Sequence, residues 1–264
     1  MRKIILALAT SIALLGSLVG AASSAAANPG ALEGARNFRD IGGYTNIEGR
    51  TIRSGLVYRS NRLSALTDAD VQRLADLNVT LVVDLRNFME RSREKDRLPA
   101  TARYQRADVA SVEYGLKFRR NATVTLWEAI EAGILNGTDN FGQTIGYPFM
   151  VSFVGAERAF GDLVRAVANN DTGATVYHCA SGKDRTGWAT AILLSILQVP
   201  METIEADFLL SNERLGRPDA VELGWLRLAF TEVNKIWGSM ESYVRNGLGV
   251  DDATVVKLRN KLLG

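Results

Sequence analysis

Residues 174–200 read ATVYHCASGKDRTGWATAILLSILQVP and join three kinds of sequence in succession. The run ATVYH is short and rich in β-branched and aromatic residues, which predicts a buried strand. The run TGWATAILLSILQVP is apolar on nearly every side and stops at Pro200, which predicts a central helix buried all round. The charged piece between them therefore predicts a loop that joins the end of a strand to the start of a helix.

The segments before this stretch show the same alternation. In LTDADVQRLADLN, Thr67 is followed three residues later by Asp70, an acidic variant of the capping box. Val71, Leu74 and Leu77 then recur at helical spacing. The run VTLVVDL follows at once and predicts a second buried strand.

Helical periodicity covers four further segments: FMVSFVGAERAFGDLVRAVAN, METIEADFLLSNERL, AVELGWLRLAFTEVNKIW and DDATVVKLRNKLL. The last three follow Pro200, so the C-terminal region is predicted to be helical throughout. Strands that alternate with helices predict an α/β fold, in which a mostly parallel central sheet is flanked by helices.

The first 30 residues, MRKIILALATSIALLGSLVGAASSAAANPG, have the layout of a secretory signal peptide. Two cations precede an apolar run from Ile4 to Gly20, and small residues form an A-x-A type cleavage site before Asn28. An uncleaved anchor is the alternative, but about 17 apolar residues is short for a span that needs ~20. We expect residues 1–27 to be removed, and residues 28–264 to form a single domain that is secreted or periplasmic, without a stable membrane anchor.

The charge balance changes once the leader is removed. Of 31 basic residues, Arg2 and Lys3 belong to the leader, which leaves 29 against 29 acidic residues. A formally neutral mature chain gives no support for a nucleic-acid partner. Because the chain holds one cysteine and one histidine, no internal disulfide, His/Cys metal site or other cofactor is expected.

That cysteine and that histidine stand side by side as His178 and Cys179. Five residues, including Gly182, separate Cys179 from Arg185. A loop of this length at a helix N-terminus can turn successive backbone N–H groups inward, at a point where the helix dipole adds positive potential. Arg185 adds a planar fork of donors for two phosphate oxygens. The pattern predicts a cradle for a phosphoryl group, in which a lowered thiol pKa makes Cys179 a nucleophile.

Each of these residues has a simpler explanation when it is taken singly. An isolated cysteine is usually a small buried hydrophobe, and GKDR alone could be a solvated turn. A lone histidine at a strand end is usually a hydrogen-bonded structural residue, and we interpret His178 in this way, as the residue that orients the loop. The combination of cysteine, five residues, arginine and a following helix favours the catalytic interpretation of the whole stretch.

HCASGKDRTG resembles the signature of the cysteine-dependent protein tyrosine phosphatases, which is His-Cys, five residues, then Arg, Thr or Ser, and Gly. The form GKDRTG is similar to an atypical bacterial branch that includes secreted phosphatases. NFRDIGGY at residues 37–44, YRS at 58–60 and DLR at 84–86 support the same branch. The resemblance runs from about Asn37 to the C-terminus, although no motif stands out between Arg91 and Thr175.

The resemblance implies a tyrosine-phosphatase-like fold and a metal-independent hydrolase. Cys179 attacks phosphorus to give a cysteinyl-phosphate, which water hydrolyses, while Arg185 and loop N–H groups hold the equatorial oxygens. The residues expected to bind substrate are Ala180, Ser181, Gly182, Lys183, Thr186 and Gly187. The residues expected to support the site are His178, Asp84, Arg39 and Asp40.

The leaving oxygen also needs a proton. Many tyrosine phosphatases supply it from a Trp-Pro-Asp loop, a tripeptide that this chain lacks. The candidate acids are Asp184, Asp84 and Asp108. The resemblance implies Asp184, because an acid beside a bound phosphate tends to hold its proton. Asp84 is expected at the sheet edge, bonded to the loop or to Arg39, with a structural ion pair as the alternative.

The substrate range is less closely determined. Lys183 adds a cation at a position that resembles the phosphoinositide-specific phosphatases, and a wider pocket for phosphotyrosine, phosphoserine, phosphothreonine and inositol lipids is the simpler explanation. Residues 200–239 contain Trp225, Phe230 and Trp237, which form either a helical lid or part of the core. Two other functions stay open from the residues alone: a rhodanese-type sulfurtransferase and a non-catalytic phosphate-binding module.

Overall fold

The computed structural model describes residues 31–134 and 143–264, so the predicted signal peptide lies outside the described residues. Five strands form one sheet in the order β1-β2-β5-β3-β4. They are β1 (Arg39–Asp40), β2 (Val57–Ser60), β3 (Val79–Asp84), β4 (Arg103–Arg106) and β5 (Ala174–His178). Only β1 and β2 pair antiparallel, and the pairs β2–β5, β5–β3 and β3–β4 are parallel. The predicted α/β fold with a mostly parallel sheet is confirmed.

Helices cover both faces of the sheet and make up most of the C-terminal region. They are α1 (Asp68–Asp76), α2 (Phe88–Arg93), α3 (Leu126–Glu131), α4 (Gln143–Ser152), α5 (Val154–Asn169), α6 (Arg185–Ile196), α7 (Met201–Leu215), α8 (Leu223–Trp237), α9 (Met240–Ser242) and α10 (Asp252–Leu262), with a π-helical turn at Tyr243–Gly247. Within the described ranges, we find no helix that combines the length and the apolar character needed to cross a bilayer.

The middle strand and the helix after it match the sequence prediction closely. Every residue of β5 is buried, as is every residue of α6 except Ser195. Such burial explains why both segments are apolar on nearly all sides. The helix begins at Arg185, one residue before the predicted start. Because a short loop joins β5 to α6, the N-terminus of α6 and the positive end of its dipole face the carboxyl end of β5.

The start of α1 also follows its sequence signal. Thr67 accepts a hydrogen bond from the Asp70 N–H, and the Asp70 side chain accepts one from the Thr67 N–H. These two bonds confirm the predicted capping box. Asp70 also accepts hydrogen bonds from the N–H groups of Glu33 and Gly34, so the cap ties the incoming chain to α1.

One helical prediction was wrong in its extent. The segment from Phe149 to Asn169 is not one helix, because α4 ends at Ser152 and α5 begins at Val154. Phe153 between them is extended, and the segment 117–119 crosses the chain there: the Val154 N–H donates to the Lys117 carbonyl at 3.0 Å, and the Arg119 N–H donates to the Ser152 carbonyl at 2.8 Å. Hydrogen bonds from a distant segment therefore interrupt a helical pattern that is continuous in sequence.

A buried carboxylate joins the C-terminal helices to the sheet. Asp207 of α7 accepts hydrogen bonds from Arg39 at 3.1 Å, from Arg59 at 2.5 Å and from the Tyr44 hydroxyl at 3.1 Å. Burial alone would raise the pKa of Asp207, but the two arginines outweigh it and lower this pKa to about 2. The carboxylate thus stays ionised and fixes α7 against β1 and β2.

We expect Asp207 to stabilise the fold above about pH 4 and to lose this effect as the pH falls towards 2. A carboxyl whose pKa is lower in the folded chain contributes stability above its unfolded value, and protonation removes it. The pKa of Asp207 falls from its ordinary 3.8 to about 2 in the folded protein, and this shift corresponds to about 2 kcal/mol in the free energy of unfolding. Urea unfolding of the protein and of Asp207→Asn between about pH 2 and pH 5 measures this. The stability gap between the two proteins should shrink by that amount, and a gap independent of pH would contradict the expectation.

Candidate active site

Cys179 lies where β5 ends and the loop to α6 begins, at the carboxyl edge of the parallel sheet. Its neighbours in register are the last residues of adjacent strands, since His178 pairs with Ser60 of β2 and with Asp84 of β3. Ligands of open parallel sheets bind outside this edge. The side chain of Cys179 is buried, and its Sγ accepts a hydrogen bond from the Gly182 N–H at 3.3 Å.

The carbonyl groups of the loop are held away from its interior by surrounding donors. The bonds run from the Arg62 N–H to the Ala180 carbonyl (2.9 Å), from Asn37 Nδ2 to the carbonyls of Ser181 (3.3 Å) and Gly182 (2.9 Å), and from the Arg59 guanidinium to the Gly182 carbonyl (2.9 Å). In a trans peptide unit the C=O and the next N–H point in opposite directions. The N–H groups of residues 181–183 therefore turn inward. The hydrogen bond from the Gly182 N–H to Cys179 Sγ shows this orientation directly for one of them. This concave set of donors suits an anion.

Gly182 is required by the space around it as well as by its backbone. Its φ is +70°, in the left-handed region that favours glycine. A Cβ at this position would lie 2.5 Å from the Asn61 nitrogen and 2.5 Å from the Ser60 oxygen, both of them backbone atoms. A larger residue would therefore push the loop off β2.

Arg185 is held by an acid that the sequence analysis missed. Its two terminal nitrogens donate to the Glu90 carboxylate at 2.6 and 2.5 Å, in a buried bidentate pair. Glu90 is itself positioned by the capping box of α2, where the Asn87 N–H donates to its Oε2 at 2.8 Å. The spacing Asn87 to Glu90 was a visible cap signal, but no sequence signal linked it to an arginine 95 residues away.

Asp184 receives two hydrogen bonds. The Tyr147 hydroxyl donates to its Oδ1 at 2.9 Å, and Lys183 Nζ lies 2.9 Å from Oδ1 and 2.7 Å from Oδ2. Tyr147 is fully buried in α4, and this burial, followed by the nearby Asp184 charge, raises the pKa of Tyr147 well above its ordinary value. The hydroxyl therefore keeps its proton and acts as a donor. Tyr147 lies in the stretch without motifs, so sequence analysis missed it.

The aromatic residues of the predicted lid, Trp225, Phe230 and Trp237, have different neighbours. Lys183 Nζ lies 5.5 Å from the centre of the Trp225 ring, which places this residue of α8 beside the loop. Phe230 packs edge-on against Trp188, and Trp237 packs against Tyr243. All three aromatics are partly buried against the core, and a lid function of residues 200–239 stays a prediction.

The predicted partner of Asp84 was wrong. Asp84 accepts hydrogen bonds from Arg86, at 2.7 Å for the shortest, and from the Tyr104 hydroxyl at 2.6 Å, whereas Arg39 pairs with Asp207. Burial would raise the pKa of Asp84, but His178 and Arg86 together hold it well below the usual range. Asp84 is thus an ionised, fully buried partner in a structural ion pair, which was the stated alternative.

His178 connects this buried charge to the loop. Its Nδ1 lies 3.1 Å from the Cys179 carbonyl, and its Nε2 lies 3.1 Å from Asp96 Oδ2. Burial alone would lower the pKa of His178, but Asp84 and Asp96 outweigh it, so the pKa is raised above its ordinary value. These contacts support the predicted role of orienting the loop. The side chains of Asp84, Asp96 and His178 could approach one metal ion, but Arg86 already donates to both carboxylates.

The other predicted residues divide between the loop and its surroundings. Asp40 accepts from the N–H groups of Gly42 and Gly55 and so holds the turn after β1. A Cβ on Gly187 would lie 2.9 Å from the Phe208 ring, so this glycine allows α6 and α7 to pack closely. The buried Thr186 hydroxyl has no hydrogen-bond partner within the part of the chain that is described.

Asp108, the third candidate acid, belongs to a different cluster. It forms an ion pair with Arg91 at 3.1 Å and accepts a hydrogen bond from the Ala110 N–H. Burial raises the pKa of Asp108 in spite of these partners. The structure therefore brings Asp184, but not Asp84 or Asp108, into direct contact with a loop side chain.

We expect Glu90→Ala to destabilise the protein by about 3 kcal/mol, because it leaves the Arg185 guanidinium buried without its carboxylate. Glu94→Ala is the matched control, since Glu94 pairs with Arg62 where both side chains are partly exposed, and such pairs contribute about 1 kcal/mol or less. Urea unfolding measures both. Inorganic phosphate should restore more stability to Glu90→Ala than to the control. Equal stabilities of the two variants would contradict the importance of the buried pair.

Comparison with known proteins adds a second line of evidence. A family model described as "Tyrosine phosphatase family" matches residues 30–264. A candidate tyrosine-protein phosphatase of Cupriavidus necator is 29% identical over 248 residues, which cover 86% of this chain and 85% of that protein. The triple specificity protein phosphatase PtpB of Mycobacterium tuberculosis is 27% identical over 278 residues, which cover 88% of this chain and 98% of that protein. A crystal structure of Pseudomonas aeruginosa TpbA in complex with phosphotyrosine is 17% identical, with a TM-score of 0.34 over 80% of this chain and 88% of that chain.

Proposed function

The chain belongs to the tyrosine phosphatase family and is a protein tyrosine phosphatase, and we propose that it works through a cysteinyl-phosphate intermediate on Cys179. The observation that carries this proposal is the loop geometry. A buried sulfur lies at the base of inward N–H groups, in a loop that leads directly to Arg185, the first residue of α6. Membership of this family gives no support to the two alternatives, a sulfurtransferase and a non-catalytic binding module. The presence of Cys179, the nucleophile, also counts against the binding module.

In the first step the Cys179 thiolate attacks phosphorus, the S–P bond forms, and the bond from phosphorus to the ester oxygen breaks. The inward N–H groups of residues 181–183 and the Arg185 guanidinium hold the three equatorial oxygens as their charge changes. The leaving oxygen takes a proton from Asp184. In the second step water attacks phosphorus, the S–P bond breaks, and Asp184 accepts the proton of the water. The products are inorganic phosphate and the free thiolate.

The contacts of Asp184 support its role as the acid and base. Tyr147 holds Oδ1, while Lys183 spans both oxygens. A bound phosphate dianion offers Lys183 a stronger partner, because charge-charge attraction grows in a site from which water is excluded. Movement of Nζ towards the phosphate then releases Oδ2 to carry the proton. Lys183 thus couples substrate binding to the availability of the acid.

We propose a substrate range wider than phosphotyrosine. The M. tuberculosis relative is named for triple specificity, and Lys183 supplies an extra cation in the loop. Phosphoserine, phosphothreonine and phosphoinositides are the further substrates that we propose.

We also propose that the protein is exported, because residues 1–27 have the layout of a signal peptide.

Cys179→Ser is expected to lose turnover by about 10³-fold or more while keeping phosphate binding, because the hydroxyl is a far weaker nucleophile in the same loop. Phosphate release from a phosphotyrosine peptide, with and without EDTA, and titration calorimetry with inorganic phosphate measure the two properties. Turnover at the normal rate in the variant would overturn the cysteinyl-phosphate mechanism.

Asp184→Asn is expected to slow phosphotyrosine hydrolysis by about 10²-fold or more, since general acid catalysis typically contributes this much. The ratio kcat/KM reports only the first step, in which aryl phosphates with acidic phenol leaving groups need no proton, so their kcat/KM should fall much less. Asp108→Asn is the matched control and should show no dependence on the leaving group. A leaving-group dependence in Asp108→Asn but not in Asp184→Asn would transfer the role to Asp108.

Tyr147→Phe removes only the hydroxyl that orients Asp184, so it should reproduce the leaving-group pattern of Asp184→Asn at a smaller size, about 10-fold. Measuring kcat/KM over the same series of aryl phosphates tests this. A uniform loss over the whole series would indicate a packing effect instead.

A further inference from the structure

Two adjoining cavities, of about 240 and 410 Å³, lie along one side of the catalytic loop. They share the residues Gly34, Asn61, Ala65 and Leu215, so they form one continuous groove, here called the flanking groove. Ala180, Ser181 and Lys183 line the cavity at one end, and Arg36 lines the other. The groove therefore starts at the loop that would hold the phosphate and leads away from it.

The flanking groove is strongly cationic. The charged residues that line it are Arg36, Arg62, Lys183, Arg217 and one acid, Glu33. An anionic segment lying in this groove would gain favourable interactions with several cations at once.

Arg62 pairs with Glu94 at 3.0 Å and Lys183 pairs with Asp184 at 2.7 Å, so Arg36 and Arg217 are the groove cations most accessible to a ligand. Arg36 is exposed and makes no ion pair within the described ranges. Arg217 is 64% exposed and lies 3.7 Å from an equally exposed Asp219. Exposed pairs of this kind contribute little and exchange readily for another anion. Arg36 and Arg217 also take no part in the catalytic steps described above.

The uncharged part of the lining suits a polypeptide. The side chains of Ala65 and Leu215 are apolar, and Asn61 is a neutral amide, so an extended chain would meet apolar as well as cationic groups in the groove. Successive residues of such a chain are about 3.3 Å apart. The residues next to a bound phosphotyrosine would thus pass the groove in turn, whereas a second phosphate on one inositol ring would stay close to Lys183.

We propose that the flanking groove binds acidic side chains that flank the phosphotyrosine of a polypeptide substrate, with Arg36 and Arg217 as specificity-determining residues. The inference rests on the proposed function, because it needs the phosphotyrosine to be seated over Cys179. It gives the enzyme a preference for acidic sequences that the catalytic loop alone does not supply.

The test compares phosphotyrosine peptides that carry glutamate, alanine or lysine on either side of the phosphotyrosine. The protein should prefer the acidic peptide by about 10-fold in kcat/KM, and added salt should reduce the preference. Arg36→Glu and Arg217→Glu should each lower kcat/KM for the acidic peptide by about 5-fold and raise it for the lysine peptide. Arg120→Glu is the control, since Arg120 is exposed, lies outside the groove and changes charge equally.

A small aryl phosphate separates this inference from the proposed function. It cannot reach the groove, so all three variants should hydrolyse it as the parent protein does. Inactivity of the parent protein on every substrate would overturn the proposed function itself. Activity without preference between acidic and lysine peptides would overturn only the groove. If Arg36→Glu and Arg217→Glu lose activity on bis-phosphorylated inositol lipids but not on peptides, the proposal of a peptide ligand would be overturned. The groove would then be assigned to a lipid headgroup.

Discussion

The site depends on one constraint: the carbonyls of the loop after β5 must point outward so that its N–H groups point inward. Left alone, a loop at a helix N-terminus has no reason to adopt this arrangement, since its carbonyls could equally accept bonds from water. Asn37 and Arg59 remove this freedom by donating to the Gly182 carbonyl at 2.9 Å each. Gly182 then takes a positive φ that other residues rarely adopt. The motifs around residues 37–39 and 58–60 are thus parts of the loop in a structural sense, although they are far from it in sequence.

Buried charges surround the loop and hold it from three sides. Asp207 forms ion pairs with Arg59 and Arg39, Glu90 pairs with Arg185, and Asp84 pairs with Arg86 behind His178. Burying such pairs costs desolvation energy, so they are poor devices for stability alone. What they provide is fixed direction, because a bidentate pair allows few orientations of either side chain. The fold therefore uses costly interactions to keep a phosphate cradle in place before any phosphate is bound.

The same pairs connect distant parts of the chain to the reaction. Asp207 comes from α7, so the C-terminal helices are tied to β1 and β2 as well as to the core. Tyr147 comes from α4 and Trp225 from α8, and both meet the Lys183 and Asp184 pair beside the loop. The helical region after Pro200 is thus part of the site's support.

The amino-acid sequence by itself determined the strand, the loop, the helix and the placement of Cys179 and Arg185 at the two ends of that loop. These depend on contacts between residues close in the chain, where backbone geometry leaves few choices. Only the tertiary structure decided which acid holds Arg185, which hydroxyl orients Asp184, that Arg39 pairs with Asp207 instead of Asp84, and that α4 and α5 are separate helices. The physical reason is that 31 cations and 29 acids allow many pairings of equal chemistry, and only the packing of the sheet and helices brings particular ones within hydrogen-bonding distance.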